Sequence, residues 1–234
     1  MQSEQHVVHQ KEYFEKNHKK TMQPRASVYI SRQVDRVIAA GHLTKTDRII
    51  DIGCGIGKYT INLFQRGYRV EGLDIASGLL DQLQTYAPIP VYCADISTPP
   101  TALYGQFDAA IGFFALHHMF DLEKSLQGAA RLLKKGGRLL FLEPNPYNIL
   151  YYLQILFTPK MTWQGEKGMV NMRSTILFPA MKKAGLIDCK LQRAGFFPPF
   201  ITDLKGALAV EKYLEKIALW CKCLPFQIFM AKKG

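Results

Sequence analysis

The chain has 234 residues, 48% of them hydrophobic, enough to bury the core of one full domain. No apolar run reaches the roughly 18 residues of a membrane span, and the polar start Gln2-Ser3-Glu4-Gln5-His6 does not read as a signal peptide, so a cytoplasmic protein is expected. The formal charge of +11 would suit nucleic acid, an anionic membrane surface or an acidic ligand. That charge crowds the two ends, from Lys11 to Arg25 and from Lys205 to Lys233, and the stretch from Asp51 to Asp121 is nearly balanced. Five cysteines, at 54, 93, 189, 221 and 223, make neither Cys-x-x-Cys pairs nor a regular framework, so reduced thiols and no metal are expected.

Residues 1–24 are polar apart from Tyr13-Phe14, and Ala26, Val28, Ile30, Val34, Val37 and Ile38 then mark one face of a helix with Gly41 as its cap. A β-branched strand at Arg48–Ile52 leads into Gly53-Cys54-Gly55-Ile56-Gly57 and a helix running to about Arg66. Glycines allow a sharp turn and close approach to a ligand, because no Cβ intervenes. Lys58 stands where a dinucleotide fingerprint has its third glycine, and Lys58-Tyr59 is not the Lys-Ser/Thr of a P-loop.

The second strand, Arg69–Leu73, ends at Asp74, and Ser77 is placed to cap the helix carrying Leu79, Leu80 and Leu83. The third, Val91–Ala94, ends at Asp95. The near-continuous apolar run Phe107–Phe114 reads as a strand buried on both faces. A helix from about Leu122 to Lys134, the Gly136-Gly137 turn and a strand Arg138–Leu142 ending at Glu143 complete a strand–helix alternation, which argues for a parallel, doubly wound sheet. After Glu143 the rhythm stops. Large side chains follow, among them Tyr147, Tyr151, Tyr152 and Trp163, before a helix over Ser174–Ala184, a strand at Ile187–Leu191, a helix at about 203–220 and a last strand Phe226–Met230.

Four strand ends carry an acid: Asp51, Asp74, Asp95 and Glu143. In a parallel sheet such ends share one edge and line one cleft. Singly, each would serve as well to cap the following helix. Together they suit a ligand bearing hydroxyls and positive charge, and they would repel pyrophosphate.

The ordered stretches Ile50–Gly57, Glu71-Gly72-Leu73-Asp74, Ala94-Asp95-Ile96, Phe107–Ala110 with Leu116-His117-His118, and Leu133–Leu139 resemble the motifs of class I S-adenosylmethionine-dependent methyltransferases. The resemblance covers roughly residues 45–145. It implies a Rossmann-like α/β fold: a doubly wound, seven-stranded, mostly parallel sheet with the last strand antiparallel and helices on both faces. It further implies that Asp51, Gly53 and Gly55 hold the methionine part of S-adenosylmethionine, with Cys54 giving a backbone contact. Asp74 would accept from the ribose diol and Ile75 would lie against the adenine. Asp95 and the Ile96 amide would read the adenine edge, and Phe113 would border the sulfonium.

Residues 1–234 are read as a single methyltransferase domain, with an amino-terminal arm at 1–44, a cofactor-binding core at 45–143 and substrate or lid insertions at 144–172 and 194–224. Strand 4 is followed by Phe113-Phe114-Ala115-Leu116, not by the Asn/Asp-Pro-Pro-aromatic signature of base methylation, which counts against nucleic acid. His117 and His118 are candidates for acid–base duty, with His118 preferred, or for a structural role in the loop. Tyr147, Tyr151 and Trp163 either wall an apolar acceptor pocket or pack a helix onto the core. The basic carboxyl-terminal helix with Phe196–Phe200 either touches an anionic membrane or is solvated.

The reading is methyl transfer to a small, hydrophobic or lipid-linked acceptor, oxygen being preferred because of the two histidines. An RNA methyltransferase and a non-catalytic cofactor-binding partner are the alternatives. The oligomeric state is left open.

Overall fold

The computed structural model describes residues 24, 27–157, 162–195, 204, 206–215, 222 and 224–234. The amino-terminal arm up to residue 23, the Phe196–Phe200 stretch, Cys221 and Cys223 lie outside them.

The elements in chain order are α1 (Val28–Gly41), β1 (Arg48–Ile52), α2 (Thr60–Gln65), β2 (Arg69–Asp74), α3 (Ser77–Tyr86), β3 (Val91–Cys93), β4 (Phe107–Phe113), a 3-10 turn at Leu116–His118, α4 (Leu122–Leu132) and β5 (Leu133–Pro144). There follow α5 (Ile149–Phe157), α6 (Trp163–Glu166), a 3-10 turn at Lys167–Asn171, α7 (Ser174–Lys183), β6 (Leu186–Ala194), α8 (Ala207–Leu214) and β7 (Phe226–Lys233). They build one seven-stranded sheet in the order β3-β2-β1-β4-β5-β7-β6. β1 runs parallel to β2 and β4, β2 to β3 and β4 to β5, whereas β7 is antiparallel to both its neighbours, β5 and β6. The expected Rossmann-like doubly wound sheet is therefore present, and the last strand is the antiparallel one.

Both faces of the central strands are buried, which is why they read as continuous apolar runs. On β4 and β5, Phe107, Ala110, Leu139 and Phe141 face the layer holding Leu126, Ala130, Leu177 and Met181 of α4 and α7. Ala109, Ile111, Phe113, Leu140 and Leu142 face the opposite layer with Ile30, Val34 and Val37 of α1. The period of two in side-chain direction sorts neighbouring residues into these two cores.

Three local expectations are corrected. The left-handed residue closing α1 is His42, at φ 48°, while a Cβ on Gly41 would lie 2.8 Å from Leu140 Cδ2. Gly41 is thus small for packing and does not supply the cap. Ser77 does not cap α3, because it is already the first helical residue and Ala76, which has no capping side chain, holds the cap position. α4 ends at Leu132 rather than Lys134, since buried Leu133 turns extended and pairs beside Phe107 as the start of β5.

Candidate functional site

The carboxyl ends of β1 and β2 meet at the glycine loop. Gly53 N–H donates to the Leu73 carbonyl at 2.7 Å, Cys54 N–H reaches the same oxygen at 3.3 Å, and Gly55 N–H donates to Asp74 Oδ2 at 2.8 Å. The Cys54 amide is therefore spent on β2. Gly53 and Gly55 have φ of 72° and 53°, the left-handed region that favours glycine. A Cβ on Gly53 would also stand 2.6 Å from Ala115 Cβ, so the loop lies directly against the chain leaving β4.

Asp51 is buried, and its Oδ2 accepts from Thr60 Oγ1 at 2.7 Å. Its Oδ1 is buried with no hydrogen-bond partner. Burial pushes Asp51 up to about 7, against the Thr60 hydrogen bond and with help from the nearby Asp74 charge. Burial also raises Asp74, though the Ala76 and Gly55 N–H groups oppose it. Two neighbouring carboxylates, one with an orphaned buried oxygen, form a setting that a cationic ligand would relieve. An ammonium or sulfonium fits these residues, and the pair disfavours a phosphate.

The remaining residues expected to hold a cofactor lie along the same edge. Ile75 and Asp95 are half-buried, and Asp95 Oδ1 accepts from the Ser97 N–H at 2.8 Å. Ile96 turns its side chain into the core against α4. Phe113 is buried and stacks on Tyr59 with ring centroids 4.3 Å apart, and Tyr59 Oη donates to Gln33 at 2.7 Å. Phe114 follows at φ 55°, a strained conformation for a bulky residue, held by its N–H to Leu142 and its edge-on ring contact with Phe226.

Glu143 departs from the expected four-acid cleft. It is wholly buried; Oε1 accepts from the N–H groups of Ala115 and Leu116 at 3.1 and 2.8 Å, and Oε2 meets His117 Nδ1 at 2.6 Å. Its charge is used to fold the histidine turn, so three acids rather than four remain for the cleft edge.

His117 is 4% exposed, and its Nε2 lies 3.4 Å from Glu166 Oε2 in an ion-pair contact whose direction makes no hydrogen bond. Burial lowers His117, but the two carboxylates more than offset that and hold it at about 9. Burial likewise raises Glu166, yet His117, His118 and the Tyr151 hydroxyl bring it down to about 2. His118 is half-buried, its Nδ1 3.1 Å from the Gly165 carbonyl and its ring centroid 3.9 Å from that of His117. Tyr151 Oη donates to Glu166 Oε2 at 3.0 Å.

The two histidines and Tyr151 are thus brought together. Tyr147 and Trp163 stand apart, 53% and 51% exposed, with Arg193 over the Tyr147 ring and Tyr152 beside Trp163. Reasoning from sequence missed Glu166, Thr60, Gln33 and Phe114. Thr60 is discoverable as the hydroxyl one helical entry after the glycine loop, but Glu166 carries no local signal.

Residues 50–141 match a family model described as a methyltransferase domain. An uncharacterized methyltransferase of Mycobacterium tuberculosis is 32% identical over 134 residues, 55% of this chain and 66% of the relative. A ubiquinone biosynthesis O-methyltransferase of Chromobacterium violaceum is 28% identical over 114 residues, covering 47% of this chain and 49% of that protein. The matched stretches thus span between 49% and 66% of these curated relatives. In fold, a solved S-adenosylmethionine-dependent methyltransferase of Thermotoga maritima superimposes with a TM-score of 0.64 at 18% identity, over 89% of this chain and 90% of that one. With the glycine loop, the strand-end acids and the antiparallel last strand in place, residues 50–141 form a methyltransferase domain, set in the fold of solved S-adenosylmethionine-dependent methyltransferases.

Proposed function

We propose that the chain transfers a methyl group from S-adenosylmethionine to a hydroxyl oxygen of a small, hydrophobic or lipid-linked acceptor. The cofactor supplies the methyl already activated on a sulfonium. Asp51 and the loop at Gly53 and Gly55 would hold its methionine end, Asp74 its ribose, and Ile75, Asp95 and Ile96 its adenine. The protein's main task is then alignment and exclusion of water, an orientation effect worth up to about 7–11 kcal/mol.

The observation that carries the preference for oxygen is the tautomer of the half-buried His118. A carbonyl can only accept, so the Gly165 oxygen fixes a proton on Nδ1, and in the neutral ring the basic lone pair then lies on Nε2. An acceptor hydroxyl needs such a group, whereas a neutral amine does not. The Chromobacterium relative's name supports the same choice of atom.

The apolar acceptor class is supported by α5, where Ile149, Leu153 and Leu156, spaced by a helical turn, are all exposed. With a net charge of +11, this face also supports peripheral contact with an anionic membrane. No described helix is long and apolar enough to cross one.

Calorimetric titration with S-adenosylhomocysteine tests the cofactor: one-to-one binding is expected, lost in Asp74→Ala and not reproduced by NAD. Transfer of labelled methyl to phenolic rather than amine acceptors of matched size tests the atom, and transfer confined to amines would overturn it. Co-sedimentation with anionic but not zwitterionic vesicles, weakened in Leu156→Glu, tests the membrane contact.

A further inference from the structure

We infer that His117, His118 and Glu166 together bind one divalent transition-metal ion of the zinc class, and that this ion takes the acceptor's hydroxyl oxygen in its open position. The assignment rests on the proposed oxygen methylation for the acceptor and gives the activation of the hydroxyl, assigned above to His118, to the ion that His118 would hold; the binding of the ion stands on the geometry alone.

One ligand atom from each of the three residues lies within 4.8 Å of the others. His117 Nε2 and Glu166 Oε2 are 3.4 Å apart. Two ligands held about 2.0–2.1 Å from a tetrahedral zinc stand roughly 3.3–3.4 Å apart, so this pair already has the separation of ligands on one ion. His117 Nε2 is buried with no hydrogen-bond partner, although the Glu166 carboxylate lies 3.4 Å away. Two imidazoles and one carboxylate with a fourth position left over form a donor set used by catalytic zinc.

The surroundings have the form that orients metal ligands. Each histidine turns its Nδ1 to an oxygen, Glu143 for His117 and the Gly165 carbonyl for His118, and such a contact at one ring nitrogen orients the other toward a ligand. The ligating carboxylate is itself held, by the Tyr151 hydroxyl at 3.0 Å. The backbone is clamped as well: a Cβ on Gly168 would stand 1.8 Å from the His117 carbonyl, so the turn that follows Glu166 presses directly on the histidine turn. The expectation of no metal came from cysteine spacing, and none of these donors is a cysteine.

The location gives the ion work to do. The histidine turn follows β4, and Ala115, just before it, lies against the glycine loop, so the ion would sit in the segment next to the proposed cofactor loop. On binding, the acceptor hydroxyl releases its proton to water. An oxygen lone pair then forms the O–C bond as the C–S bond breaks, and that bonding pair returns to sulfur as the neutral thioether. His118 is a ligand in this arrangement, and the acidity of the hydroxyl comes from the ion.

The test is titration of the full chain, stripped with a chelator and dialysed, with Co2+ and with Zn2+. The expected result is one ion per chain, with visible ligand-field bands of cobalt in a nitrogen–oxygen site. His118→Gln and Glu166→Gln should lose those bands, and Tyr151→Phe, which removes only an outer contact, should weaken binding by about 10- to 100-fold. S-adenosylhomocysteine affinity is measured on every sample and should persist in all three variants. A chain that binds S-adenosylhomocysteine but takes up neither ion overturns the metal site. So does uptake that both substitutions leave unchanged, which would place the ion elsewhere. Loss of S-adenosylhomocysteine binding with cobalt uptake intact would instead overturn the cofactor reading and leave the metal site standing.

Discussion

The two sides of the cleft are built in different ways. On the proposed cofactor side, Asp51, the glycine loop and Asp74 are joined by short-range backbone geometry, with Gly55 bonded to an acid only one strand away. On the proposed acceptor side, His117 from the end of β4, Glu143 from β5, Glu166 from α6 and Tyr151 from α5 meet chiefly through side chains drawn from four separate elements. The first kind of site is a property of a motif. The second is a property of a tertiary arrangement, and it can change its chemistry without disturbing the first.

The largest expected effect removes the one residue that serves the whole acceptor side. Glu143→Ala leaves the buried His117 imidazole, the buried Leu116 N–H and the half-buried Ala115 N–H without this partner, a loss of about 3–5 kcal/mol. Urea unfolding measures it, and a loss below about 1 kcal/mol would mean that the turn is held otherwise.

Tyr151→Phe cuts a hydrogen bond to a charged carboxylate and should cost about 1.5–3 kcal/mol, read as a shift in melting temperature. S-adenosylhomocysteine affinity should not move. A parallel fall in that affinity would show that the two sides are coupled.

Asp51 probes the cofactor side alone. Its pKa is raised to about 7, so its stabilising contribution is complete below the ordinary carboxylate range and is lost as pH rises through about 7. A cationic ligand prefers the carboxylate form, so cofactor affinity should climb by up to about tenfold per pH unit from about 5 to 7 and then level. Asp51→Asn should flatten both the stability slope and the affinity slope, and calorimetry across that range tests it. The smallest change is Trp163→Ala, at a half-exposed ring, expected within about 0.5 kcal/mol of the parent in stability. If Trp163 meets the acceptor, KM rises while kcat holds.

The same contrast explains what could be read from the residues in order. β1 to β5 follow from β-branched and apolar runs closed by acids and glycines, because a strand buried on both faces needs little more than that pattern. Element ends were less legible: His42 rather than Gly41 closes α1, since the space beside Leu140 decides which residue must be small. The antiparallel last strand came from family resemblance and is where it was expected. Glu143 looked like its three fellow acids, and only the position of the Ala115 and Leu116 amides reveals its different task. Glu166 had no signal at all, because its partner His117 is distant in the chain and nothing in the local pattern encodes that meeting.

The place of β7 also bears on how the protein is made. β7 follows β6 in the chain yet lies between β5 and β6, pairing with both. During translation, β1 to β5 can assemble as they emerge, but β6 has nowhere to dock until residues up to Lys233 are out of the ribosome. Until then the edge of β5, with Leu139, Leu140, Phe141 and Leu142, is an unpaired apolar template of the kind that recruits strands from other chains. Nascent chains stalled before β7 should therefore depend on chaperones more than the finished protein does.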